Sequence, residues 1–203
     1  IRPCNYYIDD EVIAFASERV PLMTVFEAAK EDVKELEPGA CTIVTRNGDI
    51  STQRFHQEEE YKPCSFERIY FSRVNDPLIY KQRKRLGANL APRIMNVLWN
   101  DIDRAFFSYI PNTAETCFLG LLEAVGGALR CIEADVIWDK IQDGSVTRED
   151  LSGLNSVRVK AELIAHKDQR LRTFITHDAA RRDLVTHIYD ITRGLVGEDD
   201  TLV

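Results

Sequence analysis

The residues predict a mixed α/β fold, and three local patterns carry that expectation. Cys41-Thr-Ile-Val-Thr45 and Ile50-Ser-Thr-Gln-Arg-Phe55 flank Asn47-Gly48, whose tolerance of left-handed backbone suits a tight hairpin. Asn75-Asp76-Pro77 is a helix start, with Asp76 able to accept free N–H groups and Pro77 preset for the first turn. Ala105-Phe-Phe-Ser-Tyr-Ile110 is a continuous β-prone run, followed by the polar Pro111-Asn-Thr-Ala-Glu115 and an apolar helix over Thr116 to Val125.

Taken in order, Val12 to Ala16 is short and apolar and predicts a buried strand, while Leu22 to Leu36 has helix-forming residues with weaker periodicity. Pro38-Gly39 supplies a turn before the hairpin. Residues 57–63 are charged and end in proline, which places a domain boundary there. Phe66 to Phe71 reads as a strand. In the helix after Pro77, Ile79, Leu86 and Leu90 share one side and Lys81, Arg83, Lys84 and Arg85 make a basic, solvated surface, with Pro92 ending or kinking it. Gly126-Gly127 is expected to break the next helix before a second helical stretch carrying Trp138, and 144–153 reads as a polar connector. Val157 to Ala165 alternates as a strand, Lys167 to Thr176 is a basic loop, and Asp183 to Ile191 fits helix or strand equally. There is no internal repeat.

With 203 residues, 44% hydrophobic and 29% charged, the chain has the composition of an ordinary globular protein able to bury one substantial core or two small ones. A net charge of −7 argues against a general nucleic-acid surface, though a local basic patch can still meet phosphate. Five cysteines at 4, 41, 64, 117 and 131 include no Cys-x-x-Cys pair, so reduced cytosol is the expected compartment. No apolar run reaches the roughly 20 residues of a membrane span, and the opening residues are unlike a signal peptide.

The P-loop, the dinucleotide-binding glycine fingerprint, His-Glu-x-x-His and Gly-x-Ser-x-Gly are all missing. His56, His166, His177 and His187 are too dispersed for a ligand set, and His177-Asp178 reads as a surface turn before an acid/base pair. Lys167, Arg170 and Arg172 suit an anionic ligand, because guanidinium forks match phosphate oxygens; a solvated basic loop accounts for them as well. Thr113 alone is a helix cap before it is a magnesium or phosphate ligand. Ligands of open α/β sheets bind at the carboxyl ends of strands, which makes the loop after Ile110 the place to look.

Cys64-Ser-Phe-Glu-Arg-Ile-Tyr-Phe-Ser-Arg73 resembles the segment joining the two domains of amidophosphoribosyltransferases, typically Cys-x-x-Glu-Tyr-Ile-Tyr-Phe-Ala-Arg-Pro-Asp. Arg2-Pro3, Ala16-Ser-Glu18 and Leu36-Glu-Pro-Gly39 are similar to the close of that family's glutaminase domain. Arg83, Gly87, Leu90-Ala91, the loop Ile110-Pro-Asn-Thr113 and Arg172-Thr-Phe-Ile175 follow in family order. Residues 129–160 match only loosely. The resemblance implies the end of an N-terminal-nucleophile glutaminase domain with αββα layers over 1–57, a linker over 58–65, and the first part of a type I phosphoribosyltransferase α/β domain over 66–203. It implies glutamine and phosphoribosyl pyrophosphate as substrates, magnesium as cofactor, purine nucleotides as inhibitors, a homo-oligomer in the cytoplasm, and no nucleic-acid or membrane partner.

Carried over by position, Pro111, Asn112 and Thr113 match a Pro-x-Ser/Thr loop that holds pyrophosphate, with Thr113 reaching the magnesium shell. Lys167 to Phe174 resembles the loop that closes over substrate, in which Lys167 and Arg172 neutralise the leaving pyrophosphate and Arg170 and Thr173 contact substrate. This stretch lacks the tyrosine and extra glycine usual there. The nucleophilic cysteine is expected ahead of Ile1 and the phosphoribosyl-gripping loop after Val203, so neither half reaction is expected of the chain alone. Cys64 matches a position that ligates an iron–sulfur cluster in some members, and a buried free thiol is the preferred account. Two other classes stay open: a non-catalytic regulatory or scaffold relative, and a stand-alone phosphoribosyltransferase with an accessory N-terminal unit.

Overall fold

The computed structural model describes residues 3–56, 64–98, 101–153, 158–167 and 177–203, and the chain divides into two units, Ile1–Tyr80 and Lys81–Val203. Together they make a mixed α/β fold. The charged stretch 57–63, where the residues place a domain boundary, lies outside the described residues. Among the described residues no helix is long and apolar enough to cross a membrane.

In the first unit β1 (Asn5–Ile8) lies between β2 (Ile13–Ala16) and β3 (Lys34–Glu35), antiparallel to both. The Asp9 carboxylate tightens the β1–β2 turn by accepting the Glu11 and Val12 N–H groups at 2.8 and 2.7 Å. β2 is an edge strand with Phe15 exposed, rather than the buried strand its apolar run predicts, because an antiparallel edge keeps one face toward solvent. The helix expected over Leu22 to Leu36 starts earlier and stops sooner: α1 is Arg19–Val25, and Glu27 takes a left-handed φ of 49° just beyond it. Phe26 then stacks on Tyr7 with ring centroids 5.1 Å apart.

The hairpin forms where the residues place it, with β4 (Ala40–Val44) paired to β5 (Ile50–Arg54) from Ala40↔Arg54 to Val44↔Ile50. Its turn is looser than a two-residue connection. Gly48 N–H donates to the Thr45 carbonyl and Thr45 N–H to the Asp49 carbonyl, and Gly48 supplies the left-handed step at φ 88°. The strand expected over Phe66 to Phe71 is instead a π-helical turn, Glu67–Phe71. Coiling gathers Phe66, Tyr70 and Phe71, with centroid separations of 5.4 to 6.4 Å, whereas the alternation of a strand would send Tyr70 and Phe71 to opposite faces.

α2 (Pro77–Leu98) begins as its cap predicts: Asp76 Oδ1 accepts Leu78 N–H at 2.8 Å, while Oδ2 pairs with Arg19 Nε at 2.9 Å. The buried side is not the predicted one. Ile79, Arg83, Gly87, Ala91, Met95 and Leu98 face inward, and Leu86 and Leu90 are exposed. Arg83, expected on a basic surface, is 5% exposed, and burial pushes its guanidinium pKa down. Pro92 lies within the helix without ending it, on an exposed position.

In the second unit β6 (Ala105–Phe107) is the middle strand of a parallel sheet, with β7 (Lys160–Ala161) on one side and β10 (Thr201–Leu202) on the other. All three residues of β6 are buried, as a central parallel strand requires. Ala105 and Phe107 pack with Ala91, Met95 and Leu98 of α2 and with Leu121 and Val125 of α3 (Glu115–Asp143). Gly126-Gly127 does not break α3. Burial of Leu121, Val125 and Ile137 along it outweighs the roughly 1 kcal/mol that each internal glycine costs. The helix ends at Gly144, whose left-handed φ of 75° lets Ser145 N–H reach the Lys140 carbonyl.

The expected connector at 144–153 contains α4 (Arg148–Gly153), whose start is a reciprocal cap between Thr147 and Asp150. The strand expected over Val157 to Ala165 is split between two sheets, because β8 (Ala165–Lys167) leaves the parallel sheet to pair antiparallel with β9 (Tyr189–Ile191). The ambiguity over Asp183 to Ile191 resolves as both: α5 (Asp178–Ile188) runs directly into β9.

Candidate functional site

At the carboxyl edge of the parallel sheet, chain segments leave side by side after β6 and β7, next to Val203 at the end of β10. This edge is the ligand-binding face of open α/β sheets. Ser108, the first residue past β6, donates its backbone N–H to the Val203 carbonyl at 3.1 Å and accepts Ile164 N–H on Oγ at 3.3 Å. The chain then crosses Tyr109 and Ile110 into Pro111–Thr113 and α3. Tyr109 packs at a tilt against Phe118 of α3 with centroids 4.8 Å apart, which braces the loop against the helix; burial, then the Glu115 charge, push the Tyr109 pKa up.

Pro111 is buried, Asn112 exposed and Thr113 half-buried, and the Pro111–Asn112 peptide is cis. Thr113 does not cap α3: the cap position is Ala114, and no side chain bonds there. Among the described residues the N–H groups of Asn112, Thr113 and Ala114 and the Thr113 hydroxyl have no hydrogen-bond partner. Free amides at the N-terminus of a 29-residue helix concentrate positive partial charge, the usual basis of an anion site. Glu115 in the first helical turn opposes an anion there.

Lys167 ends β8, half-buried, with Nζ 5.7 Å from the Tyr189 ring centroid across the ribbon. Arg170, Arg172 and Thr173 lie outside the described residues. The structure thus sets Pro111, Asn112 and Thr113 in the loop between β6 and α3, separated from the end of β6 by three residues, and Lys167 on a separate ribbon. That ribbon's base is tied to the loop's base through Ile164 and Ser108. By its sequence Ser108 is one more residue of a β-prone run; the hydroxyl interrupting that apolar run is the signal that marks it.

His177 precedes α5, and Asp178 opens it, both exposed. Cys64 is exposed, which corrects the expected buried thiol: it precedes the π-helical turn and takes no part in its aromatic cluster. Among the described residues no group of three or more His, Cys, Asp or Glu side chains is placed to hold a metal ion.

No family model matches the chain. An amidophosphoribosyltransferase of Pseudomonas aeruginosa is 30% identical over 102 residues, which is 48% of this chain and 20% of that protein. One from Pasteurella multocida is 32% identical over 93 residues, 44% of this chain and 18% of the relative. The chain resembles the amidophosphoribosyltransferases. The amidophosphoribosyltransferase of Escherichia coli K12 extends the similarity to 119 residues at 27% identity, or 57% of this chain and 23% of its own length. The matched stretch therefore spans about a fifth of these amidophosphoribosyltransferases.

Proposed function

We propose that the chain is the central part of an enzyme that transfers glutamine-derived ammonia to phosphoribosyl pyrophosphate, giving 5-phosphoribosylamine at the first step of de novo purine biosynthesis. In this reading residues 1–57 close a class II glutaminase domain, 58–65 link, and 66–203 open a type I phosphoribosyltransferase domain. The observation that carries it is the Pro111–Thr113 loop, with free amides and a free hydroxyl at a helix start on the carboxyl edge of a parallel sheet.

The chemistry asks for such a corner. Ammonia forms a C–N bond at C1 of the ribose as the C–O bond to pyrophosphate breaks, and the departing diphosphate gains negative charge. Fixed N–H donors aimed at that charge stabilise the transition state more than the ground state, since they need no reorganisation when the charge appears. Lys167, with Arg170 and Arg172 of the same basic stretch, is expected to add positive charge that offsets the diphosphate.

Magnesium fits the donor set to a limited extent. Thr113 offers a hydroxyl oxygen and Asn112 an amide oxygen, both hard donors, so the ion would be held chiefly by diphosphate oxygens, with the protein reaching its outer shell. When bound, magnesium supplies charge neutralisation of the diphosphate, which also offsets Glu115. Purine nucleotides, which carry phosphates of their own, are the inhibitors this reading expects.

The test uses the complete parent protein. It is expected to make phosphoribosylamine from phosphoribosyl pyrophosphate and ammonia, and Thr113→Val is expected to lower kcat by about tenfold or more with its fold intact. A parent protein that forms no phosphoribosylamine from phosphoribosyl pyrophosphate and ammonia, or a Thr113→Val variant of unchanged kcat, overturns the reading.

A further inference from the structure

We propose that Ser108 is a positioning residue that sets the spacing between the Pro111–Thr113 loop and the β8–β9 ribbon carrying Lys167. The proposal rests on the diphosphate reading of that loop.

The register of the parallel ladder makes the case. Glu162 N–H donates to the Phe107 carbonyl at 3.2 Å, and a ladder continued by two residues would pair Ile164 N–H with the Tyr109 carbonyl. Instead Ile164 N–H meets the Ser108 hydroxyl at 3.3 Å. The side chain stands in for a backbone carbonyl, so the main chain past Ser108 can turn away into the loop while the β7–β8 connection stays pinned to its base.

Ile164 is 8% exposed, and its own carbonyl accepts Thr192 N–H at 2.9 Å just past β9. Ile164 therefore sits between the Ser108 hydroxyl and the far strand of the ribbon. Lys167 follows three residues later on β8. Ser108 also holds Val203, at the end of β10, through its backbone N–H. One residue thus joins the base of the loop, the base of the ribbon and the end of the neighbouring strand. Without the acceptor, a buried N–H is left unpaired and the ribbon base is free to shift. A diphosphate spanning the loop amides and Lys167 would then find its donors misplaced.

Binding of inorganic pyrophosphate with magnesium to the complete parent protein tests this by isothermal titration. Ser108→Thr keeps the hydroxyl, whereas Ser108→Val replaces it with methyl groups in nearly the same shape as threonine, so the pair isolates the acceptor. Ser108→Val is expected to weaken binding about five- to tenfold and Ser108→Thr to stay within about twofold of the unaltered protein. Amide exchange at Ile164 is expected to quicken in Ser108→Val only. Ser108→Ala replaces Ser108→Val should the latter fail to fold. The readout that separates positioning from general stability is a double-mutant cycle: Ser108→Val is expected to cost little further in a Lys167→Ala background.

Fully additive losses, unchanged affinity in Ser108→Val, or unchanged exchange at Ile164 would each overturn the proposal while leaving the loop's role standing. No pyrophosphate binding by the unaltered parent protein removes the diphosphate reading, and the proposal with it.

Discussion

Gly87 and Gly120 mark the place where α2 and α3 cross with their backbones nearly touching. A Cβ on Gly87 would lie 1.7 Å from the Cys117 carbonyl oxygen, and one on Gly120 would lie 2.0 Å from that of Lys84. Backbone atoms cannot swing aside as a long side chain can, so both positions require glycine. Gly87→Ala is expected to destabilise the second unit by about 3 kcal/mol or more, measured by urea denaturation. The same crossing explains why the burial of Arg83 is not legible in the sequence. In the series Lys81, Arg83, Lys84, Arg85, only the position one turn before Gly87 shares its inward side, and a basic run by itself does not say which member that is. Asp76 is legible because its work is local: it caps the helix beginning one residue later.

Among elements, α3 departs furthest from expectation. Gly127 sits mid-helix, and a Cβ added there would meet nothing within 4 Å, so this glycine is neither a breaker nor a packing requirement. Gly127→Ala is expected to stabilise the chain by about 0.5–1 kcal/mol, seen as a raised thermal midpoint. At the other end of α3, Lys140 pairs with Asp150 at 2.5 Å and Thr147 caps α4. The Lys140 hydrogen bond first, then those from Thr147, lower the Asp150 pKa from an ordinary 3.8 to about 2. A carboxylate whose folded pKa is depressed contributes stability that is present above the unfolded value and lost as pH falls through the folded one. Protection of the α4 amides, taken against their intrinsic exchange rate, is therefore expected to fall between about pH 4 and pH 2, and Asp150→Asn to abolish most of that dependence. An Asp150→Asn variant with the same acid profile as the unaltered chain would count against the assignment.

On the scale of the whole molecule, the buried apolar cluster of Ala91, Met95, Leu98, Ala105, Phe107, Leu121 and Val125 lies entirely in the second unit. Phe107, 1% exposed on the central strand, is its largest member. Phe107→Ala is expected to cost the second unit about 3–5 kcal/mol, a large share of a typical domain's stability. Amide protection in β6 and α3 is expected to fall while that in β1 and β2 persists. Loss of protection in β1 and β2 at the same denaturant concentration would show instead that the two units unfold as one.

The residues by themselves determined the features whose causes are close in sequence. Asn47-Gly48 placed the hairpin and Asp76-Pro77 the start of α2, because turn and cap preferences act over a few residues; the β-prone run from Ala105 placed β6, which ends at Phe107 rather than at the expected Ile110. The resemblance to amidophosphoribosyltransferases likewise needed only the order of short motifs. Tertiary structure alone decided which side of α2 is buried, whether Gly126-Gly127 or Gly144 ends α3, and that the strand expected near Val157 to Ala165 divides between two sheets. It also decided that Ser108 bridges the loop and the ribbon. Each of these depends on a partner far along the chain, and burial against that partner or a hydrogen bond to it outweighs local preferences of about 1 kcal/mol.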